Sequence, residues 1–253
     1  DDLRGVAVVV ETERPADVRL TVRLPDGGNM AVRGRSGEPI DGIVPSPRLW
    51  SPSDPYLYGL RAAILPEDGD GDGGRGADRH DADDDGAADA VDSVDSYFAI
   101  RRVDLGPSPG AARGDRPVIR LNGKPLFLHA PLDQGYWPES GMTPPADDAL
   151  VFDIESMKAL GFNGLRKHIK VESRRFYWHA DRLGMLVIQD AVSGGVNRSA
   201  GNLKVALPMI LGLHLGDRSG RALRLAGRAD PACRNEFEAD LAGMVDHLGN
   251  HPS

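Results

Sequence analysis

The sequence has one cysteine, few aromatic residues and no long apolar run. Cys233 is the single cysteine among 253 residues, which excludes an internal disulfide and fits a reducing compartment such as the cytoplasm. No apolar stretch approaches the roughly 20 residues of a membrane span. No basic and apolar leader opens the chain, although its first residue is Asp1 rather than Met. We expect a cytoplasmic protein with no membrane partner.

The acidic residues are concentrated in one segment. The formal net charge is −8, but residues 67–95 alone contain twelve acids against two arginines, Arg75 and Arg79. The rest of the chain has 26 acids and 28 bases, and these form no basic stripe along the sequence. A near-neutral remainder gives no electrostatic reason to expect a nucleic-acid partner.

The first hundred residues have the pattern of strands. β-branched and partly alternating stretches cover residues 6–10, 18–24, 57–64 and 96–103. Residues 25–28 (Pro-Asp-Gly-Gly) have turn chemistry, and no comparable helical period appears before residue 145. The pattern predicts an antiparallel β-sandwich over residues 1–104.

Residues 66–95 interrupt this pattern with a stretch made mostly of Asp, Gly and Ala. Such a composition buries too little apolar area to offset its ordering entropy, so we expect a disordered loop inserted in a hairpin. Asp68, Asp70 and Asp72 match the opening of an EF-hand calcium loop, which is the alternative. The twelfth position of that loop is Arg79, where a bidentate carboxylate is needed, and no metal is expected.

The pattern changes after a Pro/Gly linker at residues 105–117. Short apolar strands now alternate with helical stripes; the strands are expected at 118–121, 125–128, 162–166 and 185–189, and the helices at 147–160 and 173–183. Alternating strands and helices predict parallel βα units. Residues 118–253 are therefore expected to form a different domain from residues 1–104.

A longer motif lies within this second half. Asn163 and Arg166 are followed at fixed spacing by Phe176-Tyr177, Asp181, Gly184 and the apolar run at 185–188. This spacing resembles a motif of glycoside hydrolase family 2, the family of β-galactosidases, β-glucuronidases and β-mannosidases. Residues 169–171 (Ile-Lys-Val) stand where the family has His-Tyr-Pro. His168 comes one residue early, a shift that resembles a subgroup of these enzymes.

Other stretches support the resemblance, namely residues 49–52, 55–58, 97–101, 120–125 and 237–253. It implies an immunoglobulin-like sandwich followed by the N-terminal half of a (β/α)8 TIM barrel, as an internal piece of the family's chain. The implied activity is that of a retaining β-glycosidase, with β-galactosidase the leading type, acting on a carbohydrate substrate. The alternatives are a non-catalytic carbohydrate-binding or scaffold module and an inactive homologue.

In a barrel of this kind, the active site lies at the carboxyl ends of the strands. That rule nominates five substrate-binding side chains: Asp133, Trp137, Arg166, His168 and Asp190. Carboxylates, guanidinium groups and imidazoles can bind sugar hydroxyls, and an indole can stack on the sugar face. An Arg166–Asp190 salt pair, a hydrogen-bonded core His168 and loop packing by Trp137 remain open. Lys167 and Lys170 are expected to be solvent-facing or structural.

Hydrolysis in this family needs two carboxylic acids, a general acid/base and a nucleophile, about 5 Å apart for retention. The resemblance implies that the acid/base glutamate ends the fourth barrel strand, which would begin just after Ser253. Asn235-Glu236 has the expected dipeptide, but it opens a helical segment rather than ending a strand. We therefore expect no catalytic residue, cofactor or metal in this piece, no activity from it alone, and self-association through the exposed edge of an incomplete barrel.

Overall fold

A computed structural model describes residues 3–66, 90–112, 114–192, 210–212 and 230–253. Most of the predicted acidic insertion, with the calcium-like Asp68, Asp70 and Asp72, lies outside the described residues. The chain divides into two compact units. Unit 1 comprises Asp1–Leu128, Asp181–Gly184 and Pro252, and unit 2 comprises His129–Ala180, Met185–His251 and Ser253.

Unit 1 is built from antiparallel strands. They are β1 (Gly5–Val9), β2 (Asp17–Arg23), β3 (Asn29–Arg35), β4 (Pro39–Ile43), β5 (Tyr58–Ile64), β6 (Asp92–Phe98), β7 (Val103–Gly106), β8 (Val118–Leu121) and β9 (Lys124–Pro125). Among the described residues they form three sheets, with strand orders β3-β2-β5-β6, β1-β4 and β7-β8-β9. The sheet-rich first half that the alternating sequence predicts is confirmed.

The core of unit 1 lies between the β3-β2-β5-β6 sheet and the β1-β4 sheet. Alternate residues of β2, Val18, Leu20 and Val22, are each less than 5% exposed, whereas the residues between them face away from the core. Tyr58 of β5 and Ile40 of β4 belong to the same buried cluster. The period of two in the sequence therefore places one face of β2 in the core and leaves the other face polar.

Two boundaries in unit 1 differ from the prediction. β6 begins at Asp92, inside the expected insertion at 66–95, because an edge strand tolerates acidic side chains and Asp95 pairs with Arg61 at 2.7 Å. β7 pairs with β8 in the register Gly106↔Val118, so the first two residues of the expected linker at 105–117 are strand.

The family motif contributes two structural positions to unit 1. Asp181 is fully buried; its Oδ2 accepts a hydrogen bond from the Tyr97 hydroxyl at 2.7 Å, and its carbonyl accepts one from the Trp50 indole at 2.8 Å. Gly184 has φ +71°, and a Cβ there would lie 2.6 Å from the Pro52 carbonyl oxygen. Only glycine combines this backbone conformation with so close an approach.

Unit 2 contains a parallel sheet and helices. The strands are β10 (Leu132–Asp133), β11 (Gly164–Lys167) and β12 (Leu186–Gln189), in the order β10-β11-β12, and the helices are α1 (Asp147–Ala159), α2 (Arg174–Leu183) and α3 (Pro231–Leu248). The last residues of α2 belong to unit 1. Strand and helix alternate in the chain as predicted, and the paired strands are parallel.

The prediction that residues 125–128 form a strand of this parallel sheet is wrong. Only Lys124–Pro125 is strand there, and it pairs antiparallel with β8. Phe127 is 82% exposed, so this apolar run does not enter a core. The first parallel strand is instead the two-residue β10, too short to show any period in the sequence.

The sheet of unit 2 continues past β12. The backbone N–H of Val187 donates to the carbonyl oxygen of Ser253 at 2.8 Å. Residue 253 therefore lies beside β12, on the side away from β11. In the part of the chain that the structure describes, no helix is long and apolar enough to cross a membrane.

Candidate functional site

The carboxyl ends of the three parallel strands bring most of the predicted residues together. Asp133 of β10 is in register with Lys167 of β11, which is in register with Gln189 of β12. The His168 N–H donates to the Asp133 carbonyl at 2.9 Å, and the Asp190 N–H donates to the Lys167 carbonyl at 3.1 Å. The backbone hydrogen bonds therefore place Asp133, His168 and Asp190 next to one another at the same edge of the sheet.

Arg166 and Asp190 form a bidentate ion pair, with the Nε–Oδ1 and Nη2–Oδ2 distances both 2.9 Å. The hydrogen bonds from Arg166 hold the pKa of the Asp190 carboxyl below its usual range, and Asp190 raises the pKa of Arg166. The arginine side chain is 49% exposed and that of Asp190 19%. Arg166 and Asp190 therefore form the salt pair that the sequence left open, and the exposed guanidinium remains accessible to a ligand.

His168 follows β11 directly. Its Nδ1 lies 2.9 Å from the Nε2 of Gln134, a side chain from the loop after β10. The histidine is half-buried rather than a core residue. When the Gln134 amide nitrogen donates in this contact, Nδ1 is the acceptor and Nε2 carries the ring N–H.

Trp137 lies in the loop between β10 and α1. Its backbone forms a bridge with Gly141, with N–O distances of 2.7 and 2.9 Å. The Nζ of Lys170 donates to the carbonyls of Gly135 at 2.7 Å and Met142 at 2.6 Å. One buried ammonium thus anchors both ends of the loop segment that carries Trp137.

Beneath these groups lies a set of charged side chains that we call the buried ion cluster: Asp133, Lys167, Lys170 and Glu172. Lys167 is 1% exposed, and its Nζ lies 2.8 Å from both Asp133 Oδ2 and Glu172 Oε1. Lys170 lies 2.9 Å from the same Glu172 oxygen. Two ammonium groups therefore face two carboxylates.

The solvent-facing alternative for Lys167 and Lys170 is wrong. Successive residues of a strand point to opposite faces, so the exposed Arg166 forces its neighbour Lys167 inward. An inward ammonium needs a carboxylate nearby, because an unpaired buried charge is strongly unfavourable. Glu172 supplies it, and reasoning from sequence missed this residue. The sequence signal for this ion pair is a pair of basic residues, Arg166-Lys167, within an apolar strand and followed a few residues later by Glu172.

The surroundings of the buried ion cluster are shaped to fit it. Gly135 has φ +60°, and a Cβ there would lie 2.2 Å from Glu172 Oε1, so glycine is required. The Tyr177 hydroxyl donates to Gln189 Oε1 at 2.5 Å and accepts from the Glu172 N–H at 3.2 Å. Burial raises the pKa of Tyr177 to about 12. The phenol therefore braces the loop in its neutral form.

Three carboxylates of the described residues at this edge, Asp133, Glu172 and Asp190, each pair with a lysine or arginine. Glu236 lies within α3, as its helical context predicts. No group of three or more metal-ligating side chains occurs among the described residues. The arrangement can bind and orient polar groups, and none of the three paired carboxylates has the surroundings of a general acid.

No family profile matches the chain, but curated relatives do. A β-galactosidase 2 of Enterobacter cloacae is 28% identical over 189 residues, 74% of this chain and 14% of the relative. A β-galactosidase of Vibrio cholerae is 27% identical over 210 residues, 82% of this chain and 15% of the relative. The chain thus spans about one seventh of the length of these relatives.

Solved structures share the fold at lower identity. A β-glucuronidase of Ruminococcus gnavus superposes with a TM-score of 0.66 at 18% identity, covering 98% of this chain and 34% of that one. A glycosyl hydrolase family 2 member from Bacteroides cellulosilyticus gives 0.59 at 19% identity, covering 100% of this chain and 29% of that one.

The curated relatives that match the chain are β-galactosidases, and the solved structures that share its fold include a β-glucuronidase and a member of glycoside hydrolase family 2. The resemblance of the chain to a part of the longer proteins of glycoside hydrolase family 2 is thereby confirmed.

Proposed function

We propose that the chain is the segment of a retaining β-glycosidase, β-galactosidase-like in type, that joins an immunoglobulin-like sandwich to the first half of a (β/α)8 barrel. In this proposal, residues 1–104 form the sandwich and residues 118–253 the half barrel. The reaction is hydrolysis of the O-glycosidic bond of a terminal sugar, without cofactor or metal. The lone Cys233 supports a reducing, cytoplasmic site of action.

The observation that carries the proposal is the hydrogen bond from Val187 N–H to the Ser253 carbonyl. After α3 the chain returns to the parallel sheet and enters it beside β12, in the place of a fourth strand. A strand, a helix and a neighbouring parallel strand are the repeating unit of a (β/α)8 barrel. In the family this resembles, the fourth strand ends in the acid/base glutamate.

The exposed groups at the strand ends are proposed to contact the sugar. Arg166 and Asp190 offer donors and acceptors for hydroxyl groups, and His168 offers a ring N–H. Trp137 offers an indole face for stacking. Asp133 takes part mainly as a positioning residue, because its oxygens are engaged by Lys167 and by the Gly135 N–H.

The chemistry itself is assigned to residues that follow Ser253 in the encoded protein. Retaining hydrolysis needs two carboxyl groups about 5 Å apart, one of them free to carry a proton at neutral pH. The three carboxylates Asp133, Glu172 and Asp190 each form an ion pair with a lysine or arginine. We therefore propose that this chain binds the sugar but does not hydrolyse it alone.

The direct test is the reading frame beyond Ser253. We expect about thirty further codons to encode an apolar strand that ends in Trp, a few residues and then Asn-Glu. A frame that continues without such a strand contradicts the glycosidase proposal. It would favour a carbohydrate-binding or scaffold module, the second candidate, which the sandwich-type sheets of unit 1 support.

A second test is the oligomeric state. The parallel sheet has edges at β10 and beside β12, and an unpaired strand edge is a template for pairing with another chain. We propose that the purified chain self-associates through this edge. Size-exclusion chromatography with light scattering is expected to show species larger than the 27.1 kDa monomer. A sharp monomer peak across concentrations contradicts self-association and leaves the glycosidase proposal intact.

A further inference from the structure

One ammonium group in unit 2 is bound on three sides. The Nζ of Lys170 donates to the carbonyl oxygens of Gly135 at 2.7 Å and Met142 at 2.6 Å, and it lies 2.9 Å from Glu172 Oε1. An ammonium has three N–H donors, so each of them has an acceptor here. Lys170 is 7% exposed, and water therefore competes little for these three bonds.

The two carbonyl groups are the ends of one loop, residues 135–142, which we call the aromatic loop. It contains Tyr136 and Trp137. A backbone bridge between Trp137 and Gly141 closes the loop between the two carbonyls. The aromatic loop is thus held at both ends by Lys170 and in its middle by its own backbone.

The first residue of the aromatic loop is bound through both of its backbone groups. The Gly135 N–H donates to Asp133 Oδ1 at 2.8 Å, while the Gly135 carbonyl accepts from Lys170. Asp133 and Lys170 are joined in turn through Lys167 and Glu172, over distances of 2.8, 2.8 and 2.9 Å. The contacts form a closed ring, so the Gly135 peptide cannot rotate without breaking a hydrogen bond to a charged group of the buried ion cluster.

The backbone just before Lys170 is strained. Ile169 has φ +51°, a conformation that β-branched residues rarely adopt. Its two neighbours contact different groups, since the His168 ring lies beside Gln134 and the Lys170 ammonium binds the aromatic loop. Strain of this kind persists where the surrounding contacts over-determine the backbone, and it clusters at functional sites. The strained residue therefore links the strand-end groups to the ammonium that holds the loop.

Tyr136 is the exposed ring of the aromatic loop. It is 63% exposed, and among the described residues its side chain takes part in no hydrogen bond, ion pair or ring contact. The Nε1 of Trp137 is buried, and it too has no hydrogen-bond partner in the described part of the chain. Neither ring is oriented by a hydrogen bond of its own, so the position of both depends on the backbone that Lys170 holds.

We propose that Lys170 is a positioning residue for sugar binding and that Tyr136, presented by the aromatic loop, stacks on the sugar beside Trp137. The inference rests on the proposed glycosidase function. Gln134 lies two residues before Tyr136 and contacts His168, so the exposed ring stands next to the strand-end groups. An aromatic ring on a backbone that is already fixed binds the apolar face of a sugar with little further cost of ordering.

The test combines Lys170→Met with Tyr136→Leu in the purified chain and measures the affinity for methyl β-galactopyranoside. The chain is labelled with 5-fluorotryptophan, and ¹⁹F NMR follows one signal each from Trp50, Trp137 and Trp178. We expect Tyr136→Leu to weaken binding about fivefold in the wild-type background, as the loss of one stacking contact predicts. In the Lys170→Met background the same change is expected to cost nothing further, because a displaced ring no longer contacts the sugar.

Matched variants separate positioning from a loss of stability. Tyr136→Phe keeps the ring and is expected to recover most of the affinity that Tyr136→Leu loses. Ile154→Val lowers stability at a residue of α1 that is fully buried and outside the aromatic loop, and it is expected to leave the fivefold effect of Tyr136→Leu intact. Lys170→Met, and not Ile154→Val, is expected to shift the Trp137 signal.

A second variant keeps the test available if Lys170→Met does not fold. Lys170→Arg retains a positive charge beside Glu172, but its planar fork does not match the three acceptors that the ammonium reaches. We expect it to shift the Trp137 signal and to reduce the effect of Tyr136→Leu below about twofold.

Three results overturn the inference. Wild-type affinity in Tyr136→Leu shows that this ring does not contact the sugar. An equal effect of Tyr136→Leu with and without the Lys170 ammonium, or an unmoved Trp137 signal, assigns Lys170 a purely structural role. These two results leave the proposed glycosidase function intact. Absence of saturable binding by the wild-type chain contradicts the sugar contact of the proposed function as well, so the two failures are distinguishable.

Discussion

Unit 1 and unit 2 bury different chemistry. The sheets of unit 1 enclose an apolar cluster that includes Leu20 and Tyr58, and Asp181 of α2 is the buried charged side chain among the described residues of that unit. Unit 2 buries two lysines and a glutamate under the carboxyl ends of its parallel strands. Apolar contacts are non-directional, whereas ion pairs fix distances and angles. The sheets of unit 1 are therefore held mainly by burial of apolar area, and the strand-end edge of unit 2 is held by directed bonds.

The largest expected effect tests the directed bonds of unit 2. Glu172→Gln removes the carboxylate that Lys167 and Lys170 share and leaves buried ammonium charge without compensation. Loss of one partner of a buried ion pair typically costs about 3 to 5 kcal/mol of unfolding free energy. Urea unfolding measures this loss. Glu155→Gln, at an exposed position of α1, is the matched control and is expected to change stability by less than about 0.5 kcal/mol.

If Glu172→Gln and Glu155→Gln are equally stable, the buried ion cluster is not what holds this edge. A double variant sharpens the point. Lys167→Met combined with Glu172→Gln removes one charge of each sign and is expected to recover part of the loss, because the remaining Lys170 keeps its carbonyl partners.

The next largest effect tests the apolar core of unit 1. Leu20 is 1% exposed, and Leu20→Ala is expected to cost about 3 kcal/mol through lost burial and the cavity that remains. Leu105→Ala makes the same truncation at a side chain that is 68% exposed, and its expected cost is below about 0.5 kcal/mol. Calorimetry of the two variants is the measurement. Equal melting shifts would mean that burial does not stabilise unit 1 as described.

A smaller effect appears at high pH. Burial raises the pKa of Tyr177 to about 12, from about 10 in the unfolded chain. The neutral phenol therefore contributes stability that is complete below pH 10 and is lost as the pH rises toward 12. Tyr177→Phe is expected to reduce stability by about 1 kcal/mol at pH 7 and to weaken the decline above pH 10. Urea unfolding from pH 8 to 11 measures both, with the exposed Tyr136→Phe as control. A variant that declines as steeply as wild type excludes this role.

The smallest effect is expected at the Arg166–Asp190 pair. Both ends are solvent-accessible, so Asp190→Asn is expected to leave the melting temperature nearly unchanged, and added salt is expected to change it equally little. A large loss of stability on Asp190→Asn would make this pair a brace like the buried ion cluster. A ligand-facing role would then lack its structural basis.

Local periodicity was enough to predict the regular elements. The strand predicted at 18–24 corresponds to β2 (Asp17–Arg23), and the helix predicted at 147–160 corresponds to α1 (Asp147–Ala159). Both carry their signal within one element, as alternation or as a period near 3.6. β10 has two residues and shows no period, so it was placed too early in the chain, at 125–128.

The candidate site was predictable by position but not by partner. The rule that parallel strands end together placed Asp133, Arg166 and Asp190 at one edge, and the register confirms that placement. Alternation along β11 shows that Arg166 and Lys167 face opposite sides, but the sequence alone does not show which of the two is inward, so the burial of Lys167 and its pairing with Glu172 were missed. Burial of a charge depends on residues that only the folded chain brings near.

We propose that this chain contacts the sugar and that residues after Ser253 carry out the chemistry, and hydrolysis of 4-nitrophenyl β-galactopyranoside tests that division most directly. The purified chain is expected to release no nitrophenol above the buffer rate. The protein translated through the fourth strand and the rest of the barrel is expected to release it, and replacement of the strand-ending glutamate by Gln is expected to abolish release. Turnover by the 253-residue chain alone would contradict the assignment of the catalytic residues to the part after Ser253.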